Sequence, residues 1–289
     1  MVMCITERYT EAGVDVRYST DPVAARDFGT DQLRRHYLVE DVFVRGELRL
    51  TYSHEDRVVL GGAVPGTEPL PLTADDTLRT DYFCERRELA AFCVGGRGLV
   101  EVDGTVHETG RGDLVYIGRG SKTVSFASTD PADPARLYLA SAPAHRELPT
   151  VLVRVADVPP VELGSPAGAN VRTLRRYLDG TLVDSCQLMM GWTQLAAGSV
   201  WNTMPCHTHA RRTECYFYFD LDSAARVVHL LGEPHETRHL IVRNEQAVIS
   251  PGWSVHTGAG TASYSFLWFM AGENCLFEDT DLIAMAELR

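Results

Sequence analysis

The sequence predicts a mostly β protein made of two tandem antiparallel barrels of the jelly-roll kind, with only short helices. Three observations predict it. Short apolar runs alternate with Gly, Pro, Asn and Asp, as in Leu99-Val100-Glu101-Val102-Asp103-Gly104, Leu114 to Gly118, Ala247 to Pro251 and Tyr264 to Phe269. Strands at that spacing belong to sandwiches or barrels. A stretch rich in proline and glycine, from Val158 to Asn170, divides the chain as a linker. The segments on its two sides echo each other: Arg86-Arg87-Glu88 and the run to Val94 resemble Arg211-Arg212-Thr213-Glu214 and the run to Phe219, and Gly112 to Ile117 resembles Asn244 to Ile249.

In chain order this gives an N-terminal arm over 1–33, in which Asp21 to Arg35 holds one helix or two short ones. A first barrel follows over 34–157, then the linker over 158–170 and a second barrel over 171–289, with a short helix expected from Asp281 to Leu288. The first copy carries Tyr82, Phe83 and Cys84 where the second has a His-x-His pair, and Gly120-Ser121-Lys122 near the place of a later histidine. It cannot build the same site, so the first barrel reads as structural or substrate-shaping and the second as catalytic.

Bulk properties exclude several classes. A formal charge of −12 argues against a nucleic-acid binder, which needs a clustered basic face. No window approaches the roughly 20 apolar residues needed to span a bilayer, and no secretory signal opens the chain. Seven cysteines without framework spacing fit reduced thiols, and a cytoplasmic location is expected.

The chemistry concentrates in the second half. In Pro205-Cys206-His207-Thr208-His209, side chains two apart share a face of a strand, so His207 and His209 converge while Thr208 turns away. Glu214 opens the β-prone run Cys215 to Phe219, expected to pair beside the first strand, and His256 follows Pro251-Gly252. Three imidazoles and a carboxylate supply the protein ligands of a first-row metal and leave room for substrate or water. A mixed N/O set admits Zn, Mn, Fe or Ni. With no soft ligand and no redox partner, one Zn2+ per chain acting as a Lewis acid is the first choice.

These motifs identify the chain as a member of the cupin superfamily. Asn202 to His209, Glu214 to Phe219, Glu236-Thr237-Arg238-His239 and Asn244 to Pro251 resemble the 5-keto-4-deoxyuronate isomerase family, as do Tyr52-Ser53-His54, Phe83 to Leu89 and Ala142 to His145. The resemblance runs from about Arg34 to Arg289, with an N-terminal extension before about Asp15 as a departure. It implies a bicupin, a homohexamer, and zinc held by His207, His209, Glu214 and His256. The implied reaction is an aldose–ketose shift on a small anionic keto-deoxyuronate of pectin breakdown, with neither nucleic acid nor membrane as partner. Glu245, Tyr218 and His239 are the expected proton carriers, and Arg212 and Arg238 the expected partners of the substrate carboxylate. Two other classes stay open: an iron-dependent dioxygenase with the same ligands, and a non-catalytic uronate-binding cupin.

Overall fold

A computed structural model describes residues 14–273 and 276–289; the extension before about Asp15, the first 13 residues of the expected arm, lies outside the described residues. Two seven-stranded sheets form the centre of the molecule. The first runs Asp15–Arg17, Leu48–Ser53, Val59–Ala63, Arg136–Pro143, Arg87–Gly95, Leu114–Ile117, Val151–Val153. The second runs Val161–Leu163, Arg172–Leu178, Met189–Leu195, Ser265–Gly272, Arg212–Phe219, Gln246–Ser250, Leu38–Val39. The five central strands correspond in order, as a duplicated unit requires, whereas the edges differ: Asp15–Arg17 pairs parallel to its neighbour and Val161–Leu163 antiparallel. Each large sheet is closed by a small one. The first has Leu70–Pro71, Val124–Ser128, Gly98–Val102 and Thr105–Thr109, the second Glu236–Val242, Val227–Glu233 and Thr257–Gly260.

Alternation along the central strands sorts their side chains between two cores. Ala90, Phe92 and Val94 point out of the first barrel, and Cys215, Phe217 and Phe219 out of the second, into one cluster shared by both sheets. There Tyr138 stacks on Phe217 at 4.5 Å, and Phe92 meets Trp192 edge-on at 5.9 Å. Each such side chain contributes roughly 1.5–3 kcal/mol by leaving water, so the barrels are one cooperative body. Leu89, Ala91 and Cys93 fill the first barrel's interior. Tyr216 and Tyr218 occupy the second.

The ends of the two units differ from the expected boundaries. Thr30–Tyr37 is a helix that straddles residue 34, and Leu33, Tyr37 and Leu38 pack into the second barrel's core. Leu38–Val39 then closes the edge of the second sheet against Gln246–Ser250. The N-terminal segment therefore serves the C-terminal barrel, because an unpaired sheet edge is covered by whichever strand reaches it. Part of the expected linker is also a strand, Val161–Leu163, paired with Arg172–Leu178. Two short helices occupy Asp21 to Arg35, at Pro22–Arg26 and from Thr30, with Asp21 accepting from the amides of Val23 and Ala24. The helix expected from Asp281 is instead a strand, Asp281–Leu282, followed by turns. Its exposed Leu282 has no helical core face to join, whereas the strand His207–Thr208 offers it backbone partners.

Candidate metal centre

Three elements from different parts of the second barrel bring the four donors together. His207–Thr208 is a two-residue strand paired with Asp281–Leu282, His207 opposite Leu282. It is not the neighbour of the Glu214 strand. Arg212–Phe219 is buried along its whole length and sits centrally between Ser265–Gly272 and Gln246–Ser250. Glu214 shares a face with Tyr216 and Tyr218, so it points inside. His256 lies in the turn just before Thr257–Gly260, on the opposite sheet. The turn carrying it passes so close to the histidine segment that a Cβ on Gly252 would stand 2.7 Å from the His209 carbonyl oxygen. Only glycine fits there.

Nε2 of His256 lies 3.0 Å from Oε2 of Glu214 and 3.1 Å from Nε2 of His207, and Nε2 of His209 is 3.4 Å from the same Oε2. One ligand atom from each of the four falls within 4.8 Å of the others. Donors about 2.0–2.2 Å from a common first-row ion stand about 3.0–3.5 Å apart, so the spacing suits a cation. His209 and His256 are 1 % exposed and Glu214 5 %; His207 is half-buried. Burial holds the His207 imidazole down to about 4 and that of His209 to about 2, with neighbouring His256 adding to both. Burial raises Glu214, but the surrounding imidazoles outweigh it and hold the carboxyl near 2. At neutral pH Glu214 is thus an anion beside the unprotonated imidazoles of His207 and His209, an arrangement that a divalent cation completes. His256 Nδ1 lies 3.2 Å from the Ser254 carbonyl oxygen; a proton donated there turns the Nε2 lone pair toward the cluster. Both ring nitrogens of His209 are buried without a hydrogen-bond partner. A ligating role gives one of them a use.

The expected proton carriers and carboxylate partners are elsewhere. Glu245 pairs with Arg136 of the first barrel at 3.2 Å. It adjoins Gln246, which lies opposite Tyr218, whereas Ser250 lies opposite Glu214; five strand steps, about 17 Å, separate Glu245 from the cluster. His239 is exposed, because Leu240 and Val242 claim the inner face of its strand. Tyr218 is interior but gives its hydroxyl to His229 Nδ1 at 2.7 Å, one pleat beyond Tyr216. Arg212 is 1 % exposed and donates to the carbonyls of Leu276 at 2.8 Å and Asp279 at 3.0 Å, gripping the C-terminal segment. Arg238 is held by Glu236 at 2.8 Å and by the Thr237 and Arg26 carbonyls, outside the barrel.

Residues not singled out from the sequence take their places. Tyr216 lies against His256, centroids 5.7 Å apart, and its hydroxyl meets Thr203 Oγ1 at 3.2 Å. Period-two spacing from Glu214 could have found it. Asp56 reaches across from the first barrel and accepts from the Thr213 amide at 2.7 Å, beside Glu214. No local pattern announces that contact.

Comparison with known proteins gives the chain a family and a fold. The profile described as KduI/IolB family matches residues 37–285. A 4-deoxy-L-threo-5-hexosulose-uronate ketol-isomerase of Shouchella clausii (strain KSM-K16) is 49 % identical over 276 residues, covering 96 % of this chain and 100 % of its own. The ketol-isomerase of the same name from Lachnoclostridium phytofermentans is 50 % identical, again over 96 % and 100 %. Among solved structures, an IolB-like protein from Salmonella typhimurium LT2 superposes with a TM-score of 0.65 at 18 % identity, over 86 % of this chain and 96 % of that one. The oxalate decarboxylase of Bacillus subtilis, described with Mn(II) centres, gives 0.54 at 11 % identity over 75 % and 69 %. These two likenesses bear on the fold, which is cupin-like in both halves.

Proposed function

The chain belongs to the KduI/IolB family, and from that membership we infer that it is an aldose–ketose isomerase converting 5-dehydro-4-deoxy-D-glucuronate into 3-deoxy-D-glycero-2,5-hexodiulosonate in pectin and uronate catabolism. The observation that carries this reading is near-half identity to ketol-isomerases of that substrate over almost the whole chain. The residues proposed to hold the metal are His207, His209, Glu214 and His256, with zinc first among the ions their N/O donors admit. Bound there, a divalent ion supplies Lewis-acid polarisation of the sugar carbonyl without redox change.

The chain's own groups prepare that chemistry. The neutral imidazoles of His207 and His209 and the ionised Glu214 are ready to ligate at neutral pH without first losing protons. Tyr216, fully buried and kept protonated by burial, walls the interior beside His256 and excludes water. For the substrate carboxylate, the guanidinium proposed is Arg172. It is half-buried, donates to the Asn170 carbonyl at 2.9 Å, and lies in the electrostatic reach of Tyr216 and Tyr264. A reducing, cytoplasmic setting belongs to the same reading, supported by five buried free thiols among the described residues. No helix among the described residues is long and apolar enough to cross a membrane. A homohexamer completes it, with Leu276, Leu282 and Met285 exposed along the C-terminal segment as apolar surface for subunit contacts.

The test is an NMR assay of the purified protein on 5-dehydro-4-deoxy-D-glucuronate, with dissolved oxygen followed in parallel. Loss of the C1 aldehyde signal with growth of a 2-ketone, at constant oxygen, is the expected outcome. Oxygen uptake would point to a dioxygenase, and saturable binding without conversion to a uronate-binding cupin; either result overturns the isomerase reading.

A further inference from the structure

One buried imidazole inside the second barrel belongs neither to the ligand set nor to any expected role. His229, on Val227–Glu233, is 0 % exposed. Its Nδ1 is engaged by the Tyr218 hydroxyl at 2.7 Å, while its Nε2 is buried with no partner. An orphaned polar atom at such depth is costly unless something meets it. The register says what is near. His229 lies opposite Gly258, and His256 stands two residues before Gly258. The two imidazoles are therefore diagonal neighbours on one face, at a separation of about 7–8 Å. Tyr216 stands edge-to-face with both, at 5.5 Å from His229 and 5.7 Å from His256. An open-chain six-carbon sugar placed at the ligand set can span that distance.

The groups around Tyr218 favour one tautomer of His229. Asn202 Oδ1 accepts from the Gly258 amide at 2.8 Å and from Thr257 Oγ1 at 3.1 Å, so its amide nitrogen is the end facing the tyrosines. A Cβ on Gly258 would stand 2.8 Å from Tyr218 Oη and 3.2 Å from Asn202 Nδ2; glycine keeps that meeting place open. Asn202 Nδ2 is buried without a hydrogen-bond partner and can serve Tyr218 Oη only as a donor; a phenol oxygen that faces a donor turns its own proton to His229 Nδ1, which leaves the imidazole proton on Nε2. Tyr218 is buried and keeps its proton, so the arrangement does not invert. Burial, with His256 nearby, holds His229 down to about 3, so it stays neutral throughout the physiological range.

We propose that His229 is a catalytic residue of the isomerisation: its Nε2–H donates a hydrogen bond to the sugar oxygen that gains negative charge as the C2 proton leaves, and Tyr218 and Asn202 are the positioning residues that fix its tautomer. The role rests on the uronate-isomerase reading above. A neutral donor suits it, because it stabilises a developing oxyanion without carrying an extra charge into the buried site. Such preorganised donors account for about 10²–10³-fold in turnover.

The test uses the zinc-loaded protein. In 15N-labelled wild type, His229 is expected as the Nε2–H tautomer, with that proton shifting when the uronate is added. His229→Ala is expected to keep one metal equivalent per chain and to lose about 10²-fold in kcat with a smaller change in KM. His229→Gln, which returns an N–H near the same place, should recover about tenfold of that loss. A kcat for His229→Ala within about twofold of wild type overturns the proposal, as does a His229 protonated on Nδ1, whatever the activity. Should wild type fail to isomerise the uronate, the reading of function falls while the tautomer result still decides for or against this donor.

Discussion

Each barrel buries a glutamate at the start of the same strand, and the two are satisfied in opposite ways. Glu88 is the second residue of Arg87–Gly95, and Glu214 the third of Arg212–Phe219; both strands open with a buried arginine. That one-residue offset reverses the face. Glu88 leaves the first barrel and accepts from Tyr116 Oη at 2.6 Å and from the amides of Cys186, Gln187 and Leu188 at 2.7, 2.7 and 2.8 Å. Glu214 enters the second barrel and meets imidazole nitrogens instead, Nε2 of His256 at 3.0 Å and Nε2 of His209 at 3.4 Å. In the first barrel, Leu89 fills the equivalent interior position, opposite Ile117 where the second has Ser250. Fixed backbone donors make an acid structural, whereas imidazoles, which can themselves ligate, make it part of a group that a cation can join.

The sharpest way to break this contrast is to neutralise each acid. Glu214→Gln should abolish stoichiometric metal binding and lower turnover by at least about 10³-fold, about 4 kcal/mol in the barrier, read by elemental analysis and a rate assay. Glu88→Ala should leave the metal equivalent in place but strand three amides and a phenol, with a loss of at least about 3 kcal/mol in denaturant unfolding. If Glu88→Ala empties the metal site at full stability, the division of labour is wrong. A smaller effect concerns the substrate: Arg172→Ala should raise KM about 10–100-fold, with kcat changed far less, measured by initial rates.

The last effect is a slope against pH. In metal-stripped protein the imidazoles of His207, His209 and His229 are held at about 4, about 2 and about 3. All lie below the 6.5 of an exposed histidine, so as pH falls through 6.5 the unfolded chain takes up protons that the folded chain refuses. Stability is therefore full above pH 6.5 and declines toward pH 4, by up to about 1.4 kcal/mol per pH unit for each histidine. Zinc, which needs the same unprotonated nitrogens, should flatten that decline until it dissociates. Unfolding midpoints from pH 7 to 4, with and without zinc, give the comparison.

Much of this was legible in the sequence for a physical reason. Period-two alternation and Pro-Gly punctuation are local, so the strands, the echo of the two halves and the convergence of His207, His209, Glu214 and His256 could be read from spacing. The failures were matters of register and reach. Glu245 and Glu214 are far apart on the sheet although both flank the same strand pair, and only the pairing reveals it. Arg212 looked available until the C-terminal segment placed two carbonyls on it. His239 and His229 are both histidines of one hairpin, separated by which face their strands present. Leu38–Val39 joins the far barrel across more than 200 residues of chain, which no local pattern encodes.

Calorimetric titration of zinc into the metal-stripped chain tests the central claim most directly. The geometry requires one equivalent per chain for wild type, one for Glu88→Ala, and none of comparable affinity for Glu214→Gln or His209→Ala. Equal zinc binding by wild type and Glu214→Gln, or no binding by wild type, would contradict it.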